Sequence, residues 1–284
     1  MHTLDRVRTN SNSIQLWLLF VSTLLIAFNW HFIEYSTTYL LFWCAALAIA
    51  WRRRNELDLE SNILATSIGL ILIVWLLFRG VAIDAKADVI ARTYPSIAIV
   101  SLCLLASKPS KIFQYWRELI IVMTTGIPWE HLFNFISATD NISLIDARIA
   151  RLMLWYVGFD VHQTSNLVIL PEGSIQIAGP CSSFALLGLM WQFSLIICFY
   201  FSLTKNQKIL LWLGSTVIAF GVNGVRLCLM ALLVANKQEE AFHYWHGHAG
   251  AEIFTTIAIL LLSVFYWFFH KRKANMFDSN LTSG

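Results

Sequence analysis

Ile209-Leu210-Leu211-Trp212-Leu213-Gly214-Ser215-Thr216-Val217-Ile218-Ala219-Phe220-Gly221-Val222-Asn223-Gly224-Val225-Arg226-Leu227 is an apolar run whose strongly polar side chains are Asn223 and Arg226. As a helix rising about 1.5 Å per residue it matches a hydrocarbon core about 30 Å thick, so it predicts a transmembrane span. Counted from Ile209 as the inner end, Arg226 stands roughly 25 Å up, in the outer part of the bilayer. A guanidinium there either snorkels to the headgroups or marks a functional site. Asn223 lies one turn below on the same face, a polar stripe that lipid would not favour. Gly221 and Gly224 leave room for another helix to approach closely.

The rest of the chain agrees with a membrane setting. Of its 284 residues, 57% are hydrophobic and 13% charged, against about a quarter charged in soluble domains. A net charge of +3 is too small to point to nucleic acid, and the basic residues sit beside apolar runs, as topology signals do. Eight spans are expected: about Ile14–Trp30, Thr37–Trp51, Asn62–Phe78, Pro95–Ala106, Leu119–Phe135, Ser182–Leu203, Ile209–Leu227 and Gly250–Phe269. The first is read as an anchor helix, since no small-residue cleavage site follows Trp30. Basic clusters fall on alternate connections: Arg6 and Arg8; Arg52, Arg53 and Arg54; Lys108, Lys111 and Arg117; Lys205 and Lys208; Lys271, Arg272 and Lys273. The positive-inside rule puts these in the cytoplasm with both termini, and puts Ser137–Pro180 and Asn236–Ala249 outside the plasma (inner) membrane. With no internal repeat or linker, residues 1–284 read as one integral membrane domain.

The long external stretch carries its own structure. Ile145 to Tyr156 predicts an amphipathic helix suited to the interface. Asn166–Leu170, a Pro171-Glu172-Gly173 turn and Ser174–Ala178 predict a β-hairpin. The fold class is therefore all-α and polytopic, with a short external amphipathic helix and a β-hairpin. The hairpin leads through Gly179-Pro180 to Cys181 at the expected first turn of the sixth span. Of five cysteines, Cys44, Cys103, Cys198 and Cys228 lie in apolar runs and read as small buried hydrophobes. Cys181 stands apart, and an intramolecular disulfide framework is not expected. A helix N-terminus and nearby cations would lower its pKa and favour the reactive thiolate. As a bland alternative, a small residue is tolerated at a helix start.

His243, His246 and His248 cluster at the mouth of the last span, where one imidazole can serve as general base and then general acid. The same spacing could hold a metal, but His31, His131 and His162 are isolated, and His2 and His270 are expected on the opposite side. No cofactor or metal is expected. A transporter or an accessory subunit of exopolysaccharide export would explain the helices, but not Cys, Arg and His gathered on one face. A thiol-disulfide oxidoreductase lacks its Cys-x-x-Cys.

At these residues the chain resembles the exosortase/archaeosortase family of membrane cysteine transpeptidases. The likeness rests on Ile169-Leu170-Pro171-Glu172-Gly173, Pro180-Cys181-Ser182, Asn223-Gly224-Val225-Arg226 and His246-Gly247-His248-Ala249-Gly250, in order, over about Asp146 to Phe265. Ser183 stands where many members have glycine, and the histidine is duplicated. The resemblance implies Cys181 as nucleophile, Arg226 on the oxyanion and His246, or alternatively His248, as acid/base, with Ser182 and Asn223 candidates for contacting substrate. It further implies membrane-anchored protein substrates ending in a short Pro-Glu-Pro-like motif, an apolar helix and a basic tail, and an acceptor that resolves the acyl-enzyme.

Overall fold

The computed structural model describes residues 17–27, 37–82, 89–126 and 138–282. Arg6 and Arg8, His2, His31 and His131, and the parts of the first and fifth expected spans at 14–16, 28–30 and 127–135, lie outside the described residues. The chain divides into two units, 1–128 and 129–284.

In the first unit, α1 (Trp17–Ala27), α2 (Thr37–Arg52), α3 (Ile63–Ala82), α4 (Val89–Ala106) and α5 (Trp116–Thr125) are helical, with a 3-10 turn at Pro109–Tyr115. Gly69 lets α3 press on α4, since a Cβ there would lie 3.0 Å from the Ser101 carbonyl oxygen. Ile26, Ile73, Leu76, Tyr94, Ala98, Leu102 and Leu105 form the buried cluster of this unit. Arg53, Lys108 and Lys111 each find a carboxylate partner. Arg53 reaches Glu118 at 3.4 Å, Lys108 reaches Glu60 at 3.6 Å, and Lys111 pairs with Asp58. Two clusters assigned from sequence to the same membrane side thus meet around one set of carboxylates.

The second unit is organised around one long helix. It comprises α6 (Ala138–Tyr156), β1 (His162–Thr164), β2 (Leu167–Leu170), β3 (Gly173–Gln176), a 3-10 turn at Gly179–Cys181, α7 (Phe184–Tyr200), α8 (Lys205–Ala235), α9 (Glu239–His246) and α10 (His248–Thr282). At 31 residues α8 is about 46 Å long, well beyond the hydrocarbon thickness. A capping box starts it, with the Thr204 amide donating to Gln207 Oε1 at 2.9 Å. Its exposed Ile209, Leu213 and Val217 follow at intervals of four, an apolar stripe of the kind that faces lipid.

The expected hairpin forms and gains a strand. β1, β2 and β3 make an antiparallel sheet in that order, with Leu170 opposite Gly173 across the Pro171–Glu172 turn. Its buried face, Val168, Leu170, Ile175 and Ile177, packs on Leu227, Met230 and Ala231 near the end of α8. α6 buries Ile142, Asp146, Ala147, Ala150 and Leu154 at helical spacing while Arg148 and Arg151 stay exposed. Gly224 permits the contact, as a Cβ there would lie 2.7 Å from Ile149; around Gly221 the space is open.

The structure is that of a helical membrane protein, and eight spans are not confirmed. Among the described residues, two helices are long and apolar enough to cross a membrane, Lys205–Ala235 and His248–Phe268. A third qualifies only if Thr93–Ala106 and Pro109–Thr125 count as one span bent by 119°. The other apolar helices, Trp17–Ala27, Leu40–Arg52, Ile63–Arg79 and Phe184–Tyr200, are shorter. The fourth expected span and the described start of the fifth lie in the two arms of that bend, and Pro109 opens the 3-10 turn between them. The loop expected at Asn236–Ala249 holds the helix α9, and of the four apolar-run cysteines Cys103 is buried whereas Cys44 is exposed.

Candidate active site

Cys181 enters the site on a tight turn built by the backbone. Its amide donates to the Ala178 carbonyl at 2.8 Å, and the Ser182 amide to the Gly179 carbonyl at 3.1 Å. Ser182 is then extended (φ −77°, ψ 161°) before α7 begins at Phe184. The cysteine therefore stops short of the helix's first turn, where it was expected, and the N-terminal end of α7 takes a different partner. Asp146 on α6 accepts from the Ser183 amide at 2.7 Å and from the Ser183 hydroxyl. A carboxylate at that position satisfies a free helix donor and faces the positive end of the dipole.

Asn223 joins α8 to this arrangement. Its Nδ2 donates to the Cys181 carbonyl at 3.0 Å, and its side chain favours the charged form of the Asp146 carboxyl. Ser182 spends its hydroxyl on the Gly179 carbonyl at 3.0 Å and is buried. Both candidates for substrate contact are thereby parts of the scaffold that holds the turn. Burial pushes the Asp146 carboxyl up to about 6, against the opposing pull of Ser183 and Asn223.

The histidines separate. Nδ1 of His246 lies 3.4 Å from Sγ of Cys181. Its ring stacks on Phe242, one turn earlier on α9, with centroids 5.3 Å apart and planes at 11°. His248 turns instead to Glu252, with Nδ1 3.7 Å from its Oε1, and His243 is exposed. Gly250 keeps the next helix tight against the end of α9: a Cβ there would lie 2.5 Å from the Trp245 Cα.

Arg226 closes the group from α8. It is 8% exposed, so it does not snorkel. Its Nη2 donates to the His246 carbonyl at 3.0 Å, while its buried Nε has no hydrogen-bond partner among the described residues. Burial pushes the Cys181 thiol up, and the charge of Arg226 opposes that shift. Desolvation wins, contrary to the lowered pKa expected from a helix start and nearby cations.

A family model described as transmembrane exosortase (Exosortase_EpsH) matches residues 30–263. This chain belongs to the exosortase family. The match takes in most of the first unit as well as the second, beyond the stretch from Asp146 that carries the sequence resemblance. The membrane assignment of this exosortase thus rests on its family and on its two long apolar helices together. No curated protein and no solved structure matches the chain.

Two residues of the exosortase site escaped the sequence reading. Asp146 was counted only as a member of an amphipathic helix. The usable signal is an acidic residue in register with Ile142 and Ala150, on the apolar side. Phe242 sits in a stretch expected to be a loop, and the signal for it is the spacing of four that puts it one helical turn from His246. Ser183, the departure from the family's usual glycine, uses both its amide and its hydroxyl on Asp146.

Proposed function

We propose that this exosortase is a membrane-embedded cysteine peptidase and transpeptidase. It cleaves a C-terminal sorting signal at the outer face of the plasma membrane and passes the protein to an acceptor through a Cys181 acyl-enzyme. The observation that carries the reading is the 3.4 Å approach of Cys181 Sγ to His246 Nδ1, beside a buried arginine with an unspent donor.

With the thiol raised by burial, the nucleophile is made at the moment of attack. His246 takes the Sγ proton as sulfur bonds to the scissile carbonyl carbon. Negative charge collects on the carbonyl oxygen, and the Arg226 guanidinium, held by its bond to His246, supplies the positive charge that stabilises it. The C–N bond then breaks, and the imidazolium returns its proton to the leaving amine. The thioester is resolved by an amine, a lipid or glycan acceptor, or water, with His246 again as base. His246 is exposed, so its proton can exchange with solvent between the two half-reactions. In this orientation both termini are cytoplasmic, and the substrate's apolar helix lies in the bilayer beside the enzyme.

The test is a reporter protein ending in a Pro-Glu-Pro motif, an apolar helix and a basic tail, co-expressed with the full chain. Wild type should release the tail, and Cys181→Ala should leave the reporter intact while accumulating in the membrane to the same level. Normal processing by Cys181→Ala would exclude a covalent mechanism.

A further inference from the structure

Cys181 and His246 lie in a cleft of about 180 Å³. One wall is β3, through Ser174, Ile175 and Gln176; the opposite wall is Phe242 and His246; the floor is Leu227, Met230 and Val234 of α8. No residue of β1 or β2 lines it, so the cleft runs along the edge of β3 that faces away from its partner strand.

The register says which backbone groups lie on that edge. The Ile177 amide donates to the carbonyl of Asn166, directly opposite it. Hydrogen-bonded and non-bonded pairs alternate along an antiparallel ladder. Val168 with Ile175 and Leu170 with Gly173 are therefore the bonded pairs, and Leu167 with Gln176 and Ile169 with Ser174 are not. The amides and carbonyls of Ser174 and Gln176 point into the cleft, and no partner holds them among the described residues. Both residues are exposed, and neither Pro, charge nor bulge blunts the strand. A free edge with a floor of apolar pockets is the arrangement that takes up an extended peptide.

The direction of such a peptide follows from α8. Gly173 packs against Val234 and Ala235 at the end of α8, whereas Cys181 is held at Asn223, twelve residues back along it. β3 and the turn after it thus descend about 18 Å along α8 towards the membrane. A substrate whose folded part is outside and whose apolar helix is in the bilayer descends the same way.

We propose that the free edge of β3 binds the extended segment just N-terminal to the scissile bond as an added parallel strand. Ser174 and Gln176 bond its backbone, and the Leu227, Met230 and Val234 floor receives every second side chain. This rests on the peptidase reading above and adds how that site holds its substrate. Backbone pairing supplies affinity that is tolerant of sequence, while the small floor selects among side chains.

Two measurements on the full chain in membranes test it, with the same reporter. Ser174→Pro and Gln176→Pro each remove an edge amide that the β2 ladder does not use. Each should slow reporter cleavage by about tenfold, while iodoacetamide should alkylate Cys181 at the wild-type rate. In a Cys181→Ala background, Ser174→Cys should form disulfides with single cysteines placed in turn along the reporter segment above the cleavage site. Crosslinks should appear at alternate positions only, the side-chain period of a paired strand. This second readout decides the matter if the proline variants misfold. Wild-type cleavage accompanied by no crosslink, or by equal crosslinks at every position, would overturn the edge proposal and leave the peptidase standing. A wild-type enzyme that never cleaves the reporter would overturn the peptidase reading, and the edge proposal falls with it.

Discussion

Asn223 Nδ2 donates to the carbonyl oxygen of Cys181 at 3.0 Å, tying the 31-residue helix α8 to the backbone of the proposed nucleophile. The same side chain favours the charged form of Asp146, which holds the Ser183 amide at 2.7 Å. Three segments far apart in the chain thereby fix one turn.

Asp146 makes this scaffold sensitive to pH. Its folded pKa of about 6 lies above the ordinary carboxylate value of 3.8. Between those values the folded protein binds more protons than the unfolded one, so stability falls as pH rises from about 4 to about 6 and is level above. Asp146→Asn should remove that slope, and melting temperatures in detergent across this range would measure it. Asp146→Ala, which leaves the Ser183 amide and hydroxyl without their partner, should lower stability by about 1–3 kcal/mol at every pH. A wild-type curve that is flat or rises between pH 4 and 6 would contradict the assignment.

The resting thiol should behave as a protonated one. Burial raises Cys181 and Arg226 only partly offsets it, so its alkylation midpoint in a pH series should lie above that of a free thiol. Arg226→Gln should move the midpoint higher still. A midpoint well below the ordinary thiol value would mean a preformed thiolate-imidazolium pair and a different first step.

His246→Ala should cost about 10²–10⁴ in the rate of reporter cleavage, the usual worth of a general acid-base group. His248→Ala should retain activity, because that ring faces Glu252. Single-turnover cleavage by the two purified variants separates them. An active His246→Ala beside a dead His248→Ala would reassign the base.

Two glycines provide a paired test. Gly250→Ala would set a Cβ 2.5 Å from the Trp245 Cα, which must shift the end of α9 and with it His246. Cleavage should drop while the protein still accumulates. Gly221→Ala meets nothing within 4 Å, and alanine is the better helix former by about 1 kcal/mol, so accumulation should hold or rise. Equal behaviour of the two variants would mean that the α9–α10 turn does not position the histidine.

By itself the sequence determined the membrane class, the hairpin before Cys181, and the grouping of Cys181, Arg226 and His246 as one candidate set. Those readings rest on local pattern: apolar run length, period-two alternation, and polar residues where lipid would reject them. Tertiary structure decided the rest. The lengths of the apolar helices did not follow from hydropathy, because an apolar run carries no mark of where its helix breaks. Which of His246 and His248, two residues apart, lies beside Cys181 turned on where α9 ends and α10 begins. Asp146 could become a partner of Ser183 only once α6 packed against the glycine face of α8. The thiol's pKa depended on how much water that packing excludes. Each of these is a contact between segments far apart in the chain, and no local pattern encodes which pair will meet.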